Sequence, residues 1–408
     1  MEKMIAAARA DMNEFSRLAE QTAEKNFNRI LDAFRKEKIS AHHFSPTTGY
    51  GYNDQGRDKL ENLYALVFGA ESALVRQQII SGSHAIALAL FGNLLPGEEL
   101  LCLGMPYDTL QTVIGLKREV PGSLRELGIP CRIVEIDYTK PDTDAIVAAL
   151  TPRTKMVALQ RSCGYSSRPA LSVANIEKII TAIKQARADI IVFVDNCYGE
   201  MVELQEPTMV GADLIAGSLI KNPGAGLVPG GGYVAGKSIY VERAAYRLTI
   251  PGAGRELGAS LTDNRPFFQA LFMTPQIVLE ALCGAVFCAS LLSRMGFQVF
   301  PGVNDYRADI IQTIQFGDPE LLKAFCRGIQ KYSPVDSFAI PEPWPMPGYD
   351  NDIIMASGGF VAGSSIELSA DAPLREPYLL FVQGGLNRWH SITAITSTLA
   401  DMRRDRLL

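Results

Sequence analysis

The sequence predicts an α/β protein with a mostly parallel seven-stranded sheet, followed by a smaller α+β domain. Seven short apolar or β-branched runs alternate with helical patterns between residues 73 and 235. Fully apolar strands joined by helices are typical of a parallel sheet that is covered on both faces. The expected strands are residues 73–80, 99–104, 132–137, 156–160, 190–195, 214–218 and 232–235.

The flanking segments divide the chain into three expected parts. Residues 1–60 are predicted to form an N-terminal helix, to about residue 40, and then an arm rich in glycine and turn-forming residues. Residues 61–295 form the large domain and end in an apolar helix over 275–294. Residues 296–408 form the small domain, with strands at 364–369 and 378–382 and a final helix at 392–402.

Composition excludes several classes of protein. A net charge of −5 over 408 residues gives no basic footprint for nucleic acid. Neither a secretory leader nor an apolar run long enough to cross a bilayer is evident. Seven scattered cysteines and four histidines lack zinc-ligand spacing, so no metal is expected. We therefore expect a reduced, cytoplasmic protein without membrane or nucleic-acid partners.

Three features at predicted strand ends carry the chemistry. Lys221 follows one strand, Asp195 ends another, and the tripeptide Ser81, Gly82 and Ser83 opens an apolar helix. Taken singly, these are more often a surface lysine and ordinary helix caps. The carboxyl ends of parallel strands meet at one edge of a sheet, however, so one cleft is expected to collect all three.

Together these groups predict pyridoxal phosphate as the cofactor. A lysine amine can form a Schiff base with its aldehyde, a buried carboxylate can keep its ring nitrogen protonated, and a helix start can bind its phosphate. Ser218 is expected to add a phosphate hydroxyl, and Tyr107 to stack on the ring, although a buried tyrosine alone is more often plain core. The glycine-rich run 224–232 superficially suggests a dinucleotide loop, but Pro229 interrupts it and no helix opens from it.

From about residue 50 onward the chain resembles fold-type I pyridoxal-phosphate enzymes of the cystathionine and methionine lyase group. More narrowly, it resembles the methionine γ-lyase-like proteins often labelled aluminium resistance proteins, and most strongly over residues 194–236. The resemblance implies that Asp195 binds the ring nitrogen, Ser218 the phosphate and Lys221 the aldehyde carbon. It also implies that the serine–glycine–serine loop holds phosphate and that Tyr107 stacks on the ring.

The same resemblance implies an assembly. The segment 49–57, with Tyr50 and Tyr52, is similar to an arm that reaches the phosphate of a neighbouring subunit. We therefore expect a homo-oligomer, either a dimer or a tetramer, with active sites shared between subunits.

Departures from the family pattern concern the substrate. Ile220 stands where the group has a hydroxyl residue, and the usual carboxylate-binding arginine, which aligns near Phe381, is missing. Arg375 is the expected substitute because its planar guanidinium suits a carboxylate. The alternative is a surface ion pair of Arg375 with a neighbouring aspartate or glutamate. Arg161, in the loop expected over the cofactor, is a second candidate substrate contact.

The expected function is that of a carbon–sulfur lyase acting on a sulfur-containing amino acid, of the methionine γ-lyase or cystathionine β-lyase type. Lys221 would remove the α-proton, and Tyr107 or a tyrosine of a neighbouring subunit would protonate the departing thiolate. The alternatives are γ-replacement, aminotransfer or aldol cleavage with the same cofactor. A non-catalytic stress protein that binds pyridoxal phosphate is also an alternative.

Overall fold

The main sheet has seven strands in the order β1-β7-β6-β5-β4-β2-β3. A computed structural model describes residues 1–117 and 120–408. All adjacent pairs are parallel except those that β7 makes with β1 and β6. The predicted mostly parallel seven-stranded sheet is therefore confirmed. Its strands are Ser72–Arg76 (β1), Glu99–Leu103 (β2), Cys131–Val134 (β3), Thr154–Gln160 (β4), Ile191–Asp195 (β5), Leu214–Ser218 (β6) and Gly232–Gly236 (β7).

Two strands end three or four residues earlier than predicted. The first strand ends at Arg76, whose guanidinium is buried against Glu61 with 2.6 Å between Nε and Oε1. The third ends at Val134, shortly before the Asp137 carboxylate accepts the backbone N–H groups of Thr139 and Lys140. Such an aspartate turn competes with strand pairing.

Ten α-helices cover the two sheets in the described part of the chain. Their bounds are Glu2–Lys36 (α1), Gln55–Phe68 (α2), Gly82–Asn93 (α3), Asp108–Ile114 (α4), Thr143–Ala148 (α5), Val173–Ala186 (α6), Ser238–Leu248 (α7), Arg265–Arg294 (α8), Pro319–Lys331 (α9) and Arg388–Arg404 (α10). By length and composition α8 is apolar enough to cross a membrane, but 83% of its most apolar window is buried inside the protein. It is thus a core helix, which packs against α1 and leads from one sheet to the other.

The second sheet is smaller and entirely antiparallel, in the order β10-β11-β12-β9-β8. Its strands are Gln298–Phe300 (β8), Gln312–Gln315 (β9), Ile353–Ala356 (β10), Ser369–Pro373 (β11) and Leu379–Gln383 (β12). This arrangement confirms the predicted fold class, a fold-type I architecture with a smaller second domain. The division at residues 60 and 295 stays a prediction.

The predicted strand at 364–369 is wrong, because only Ser369 belongs to a strand. Alternating polar and apolar residues suggested an extended segment there. Instead the buried carboxylate of Glu367 accepts the backbone N–H groups of Phe360 and Val361, at 2.7 and 2.8 Å. These bonds hold residues 364–368 in bends rather than in the sheet.

The glycine-rich segment after Lys221 forms a tight turn and not a dinucleotide loop. Residues Asn222–Gly224 form a short 3₁₀ turn whose preceding residue is Lys221. A Cβ atom at Gly224 would lie 1.7 Å from the carbonyl oxygen of Leu219, so only glycine fits. The close approach of these two backbone segments holds the lysine at the end of β6.

We predict that Gly224→Ala destabilises the protein by about 3 kcal/mol, because the added methyl group forces the turn apart. Gly230→Ala is the matched control, since a Cβ atom there meets nothing within 4 Å. Urea unfolding of both variants measures the difference. Equal stability of the two variants would contradict the packing argument.

Candidate active site

A cavity of about 250 Å³ lies at the carboxyl ends of β4, β5 and β6. Seven of the residues predicted from the sequence line it: Ser81, Gly82, Ser83, Tyr107, Asp195, Ser218 and Lys221. They come from four separate stretches of the chain, at residues 81–83, 107, 195 and 218–221. The sheet therefore brings them together at one edge, as its parallel topology predicts.

The amine of Lys221 points into this cavity. Its Nζ lies 3.9 Å from the ring centroid of Tyr198, which also lines the cavity. Burial disfavours the ammonium form of Lys221, but the acidic groups around it, Cys197, Tyr198 and Asp195 foremost, outweigh burial and raise its pKa. The amine must lose this proton before it can attack an aldehyde, and a Schiff base there would remove the cost of burying an ammonium group.

Asp195 supplies the compensating carboxylate at the end of β5. Its side chain is 4% exposed, and Oδ1 accepts the backbone N–H of Cys197 at 3.1 Å. Burial raises the pKa of Asp195, and the charge of Lys221 opposes that rise. A buried carboxylate without a hydrogen-bonded cation is suited to a protonated ring nitrogen.

The start of α3 forms the opposite end of the cavity. Ser81 is its N-cap, with Oγ accepting the backbone N–H of His84 at 3.1 Å, so the helix-cap interpretation holds for this residue. A Cβ atom at Gly82 would lie 3.1 Å from Cβ of Ser218, which shows how closely β6 approaches the helix. The N–H groups at the start of a 12-residue helix, with hydroxyls beside them, are suited to an anion.

Tyr107 borders the same end. Its hydroxyl lies 2.9 Å from Oγ of Ser83. Burial raises the pKa of Tyr107, so the phenol keeps its proton at neutral pH. The amine, the buried carboxylate and the helix start thus fit the aldehyde, ring nitrogen and phosphate of pyridoxal phosphate, with Tyr107 beside them.

Several lining residues were not among the predicted site residues. Gln160 and Tyr165 flank the loop after β4, whereas Tyr349 and Gln383 come from the small domain. Nothing local in the sequence marks the last two, since only the packing of the second sheet against the first brings them to the cavity.

Arg161 does not line the cavity, and its prediction as a substrate contact is wrong. Its side chain is fully buried behind β5, where Nη2 lies 2.9 Å from Glu203 and Nη1 lies 3.2 Å from Glu206. Nη1 also donates to Oδ1 of Asn196 at 2.8 Å. A guanidinium committed to two carboxylates is a structural ion pair that fixes the loop after Asp195.

Arg375 does not line the cavity; it lies beside the rim, in contact with the lining residue Tyr165. Its guanidinium donates to the carbonyl oxygen of Tyr165 at 3.3 Å and lies 3.9 Å from the carboxylate of Asp108. The side chain is 40% exposed. Arg375 therefore forms an ion pair, but with Asp108 and not with an acidic residue close to it in the sequence. Substrate binding by Arg375 stays a prediction.

Phe381, at the place of the missing arginine, is fully buried, with its ring centroid 5.0 Å from that of Tyr165. Tyr50 and Tyr52 are 73% and 62% exposed and lie outside the cavity. Their expected contact with a neighbouring subunit stays a prediction.

Metal-binding and disulfide chemistry find no support in the described residues. Within 1–117 and 120–408, no group of three or more histidine, cysteine, aspartate or glutamate side chains is arranged to hold a metal ion. All seven cysteines are free thiols.

Comparison with known proteins places this geometry in a family. The methionine gamma-lyase family model matches residues 1–403. The chain belongs to the methionine γ-lyase family. This membership confirms both the resemblance described above and the prediction of pyridoxal phosphate as the cofactor.

Relatives match over their whole length. The uncharacterized Bacillus subtilis protein YnbB is 47% identical over 411 residues, which cover 100% of this chain and 98% of that protein. A Listeria monocytogenes protein, solved as a candidate cystathionine β-lyase involved in aluminum resistance, is 46% identical with a TM-score of 0.95 and covers 98% of this chain and 99% of its own. A Clostridium novyi carbon–sulfur lyase involved in aluminum resistance is also 46% identical, with a TM-score of 0.94 and coverage of 98% and 95%.

A buried acid lies directly behind the cavity. Glu200 is fully buried, and Oε1 accepts the hydroxyl of Tyr233 at 2.8 Å. Burial raises the pKa of Glu200 from its ordinary 4.5 to about 8. Between about pH 4.5 and pH 8, the folded protein therefore keeps this proton, whereas the unfolded chain releases it.

We predict that Glu200→Gln changes the pH dependence of stability. In the wild type, the stability that this proton contributes is present below pH 4.5 and is lost as the pH rises to about 8. The glutamine variant lacks that loss, so its free energy of unfolding relative to wild type should rise by about 5 kcal/mol between pH 4 and pH 9. Urea unfolding at several pH values measures it, and parallel curves would contradict the assignment.

Proposed function

We propose that this protein is a pyridoxal-phosphate-dependent carbon–sulfur lyase. It eliminates the sulfur substituent of an amino acid, by methionine γ-lyase or cystathionine β-lyase chemistry. The observation that carries the proposal is the enclosure of the Lys221 amine in one cavity with the Asp195 carboxylate and the start of α3. The names of the solved relatives point to the same class of reaction.

Three side chains of the cavity have separate roles in the proposed reaction. The bound cofactor withdraws electrons from the α carbon of the substrate. The freed amine of Lys221 takes the α-proton, and the carboxylate of Asp195 holds a proton on the ring nitrogen. Tyr107, whose phenol is protonated at neutral pH, is the proposed donor of a proton to the departing thiolate.

The substrate carboxylate is assigned to Arg375. To turn toward the cavity, the guanidinium gives up only a long contact with Asp108 and one hydrogen bond to a carbonyl oxygen. A planar, bidentate donor is suited to this task. Because Asp108 is only 10% exposed at its side chain, its charge holds the guanidinium near the cavity.

The protein is further proposed to act as a cytoplasmic homo-oligomer, a dimer or a tetramer, without nucleic-acid or membrane partners. The exposed rings of Tyr50 and Tyr52 support an arm that reaches a second subunit. Sedimentation of the holoenzyme measures the assembly, and a monomer with full activity would contradict a shared site.

We predict that Lys221→Ala lowers turnover roughly 1,000-fold or more, because the proton carrier is lost. Release of keto acid, ammonia and thiol from cysteine, cystathionine, methionine and homocysteine measures turnover. Borohydride reduction of the wild-type holoenzyme should attach the cofactor to Lys221, and mass spectrometry locates it. Lys237→Ala, a lysine just after β7 that pairs with Asp213, is the control and should retain activity.

Different products would identify the alternatives. Retention of the amino nitrogen in the product indicates replacement or transfer rather than elimination. A bound cofactor without turnover or α-proton exchange across the panel indicates a non-catalytic carrier.

For Arg375→Gln we expect KM to rise about tenfold while kcat changes little, since a charge-assisted bond to the substrate carboxylate is removed. Arg327→Gln is the matched control, because Arg327 pairs with Glu342 on the surface of the same domain. Steady-state kinetics separate the two constants. An unchanged KM would assign Arg375 to the rim ion pair alone.

A further inference from the structure

The small domain contributes one amide with an unused acceptor to the cavity. Gln383, at the end of β12, lines the cavity and is 1% exposed. Its Nε2 donates to Oδ2 of Asp371 at 2.8 Å. Within residues 1–117 and 120–408, no donor reaches its carbonyl oxygen, Oε1.

Asp371 determines which way this amide faces. It lies on the neighbouring strand β11 and is 4% exposed. An ionised carboxylate only accepts hydrogen bonds, so the amide must turn its NH₂ group toward Asp371 and its oxygen away. Gln383 lines the cavity and its unpartnered oxygen is buried, so a ligand in the cavity is the candidate donor for it.

The surroundings favour a positively charged donor. Among the described residues that line the cavity, Lys221 is the only lysine or arginine, and it is reserved for the cofactor. Besides Tyr107, three tyrosines line the same space, namely Tyr165, Tyr198 and Tyr349. The ring centroids of Tyr165 and Tyr349 are 6.0 Å apart. Aromatic faces attract cations, and the carboxylate of Asp371 behind the amide adds to that attraction.

We propose that Gln383, oriented by Asp371, is a specificity-determining residue that accepts a hydrogen bond from an ammonium group on the substrate side chain beyond the sulfur. Sulfur amino acids with such a group are therefore preferred over those that end in an S-alkyl group. A substrate that ends in an alkyl group leaves the buried oxygen of Gln383 without a partner, so this substrate binds less tightly. This inference deepens the proposed lyase function and rests on it for the presence of sulfur.

Binding is tested with L-lysine and L-2-aminoheptanoic acid, which differ only in a terminal ammonium or methyl group and carry no leaving group. Burial raises the pKa of Asp371 to about 7, so measurements are made on the holoenzyme at pH 8.5, where it is ionised. The absorbance change of the bound cofactor gives each dissociation constant. We expect wild type to bind lysine about tenfold more tightly.

Variants locate the preference. Gln383→Met should abolish it, and Asp371→Asn should reduce it, because an amide neighbour no longer fixes the glutamine orientation. Gln330→Met is the matched control, since Gln330 is buried in the same domain and lies outside the cavity. Equal binding of the two ligands by wild type, or an undiminished preference in both cavity variants, would overturn the proposal.

Turnover separates this inference from the lyase proposal. S-(2-aminoethyl)-L-cysteine and S-propyl-L-cysteine are the corresponding pair with a leaving group. If neither compound releases thiol but the binding preference is intact, the lyase function is refuted and the role of Gln383 stands. Equal thiol release from both, without a binding preference, refutes the role of Gln383 and leaves the lyase function.

Discussion

The structure depends on enclosing two opposite charges at one edge of a sheet. Asp195 ends β5, and Lys221 follows the end of the neighbouring strand β6 by three residues. Each charge makes the burial of the other tolerable. The two side chains do not hydrogen-bond to each other, so their attraction offsets only part of the free-energy cost of burying both charges. A site of this kind is incomplete by itself and is suited to a cofactor that takes both groups at once.

The layer behind the cavity keeps that arrangement rigid. Asn222 donates its side-chain amide to the carbonyl oxygens of Tyr198 and Glu200, both at 3.0 Å, and so ties the loop after Lys221 to the loop after Asp195. Arg161 holds the second loop from the other side through Glu203 and Glu206. A buried pair of this type is costly to break, which explains why an arginine so near the cofactor is unavailable to substrate.

The sequence predicted the cofactor end of the site better than the substrate end, for a physical reason. Lys221, Asp195 and Ser81 lie at strand or helix ends, and the parallel sheet converts those local positions into proximity. The misassignment of Arg161 arose because its carboxylate partners lie more than forty residues away along the chain. Gln383 was beyond prediction, since its place in the cavity depends on how two domains pack.

The same division explains where the chain departs from its family's pattern. All the predicted cofactor contacts that line the cavity belong to the large domain, whereas Tyr349 and Gln383 belong to the small one. Phe381 and Gln383 are two residues apart on β12 and face the same side of the sheet. Phe381 gives that face no charge, and Gln383 gives it an acceptor. Changes on this one strand can therefore alter the accepted substrate while the cofactor site, built on the other sheet, stays the same.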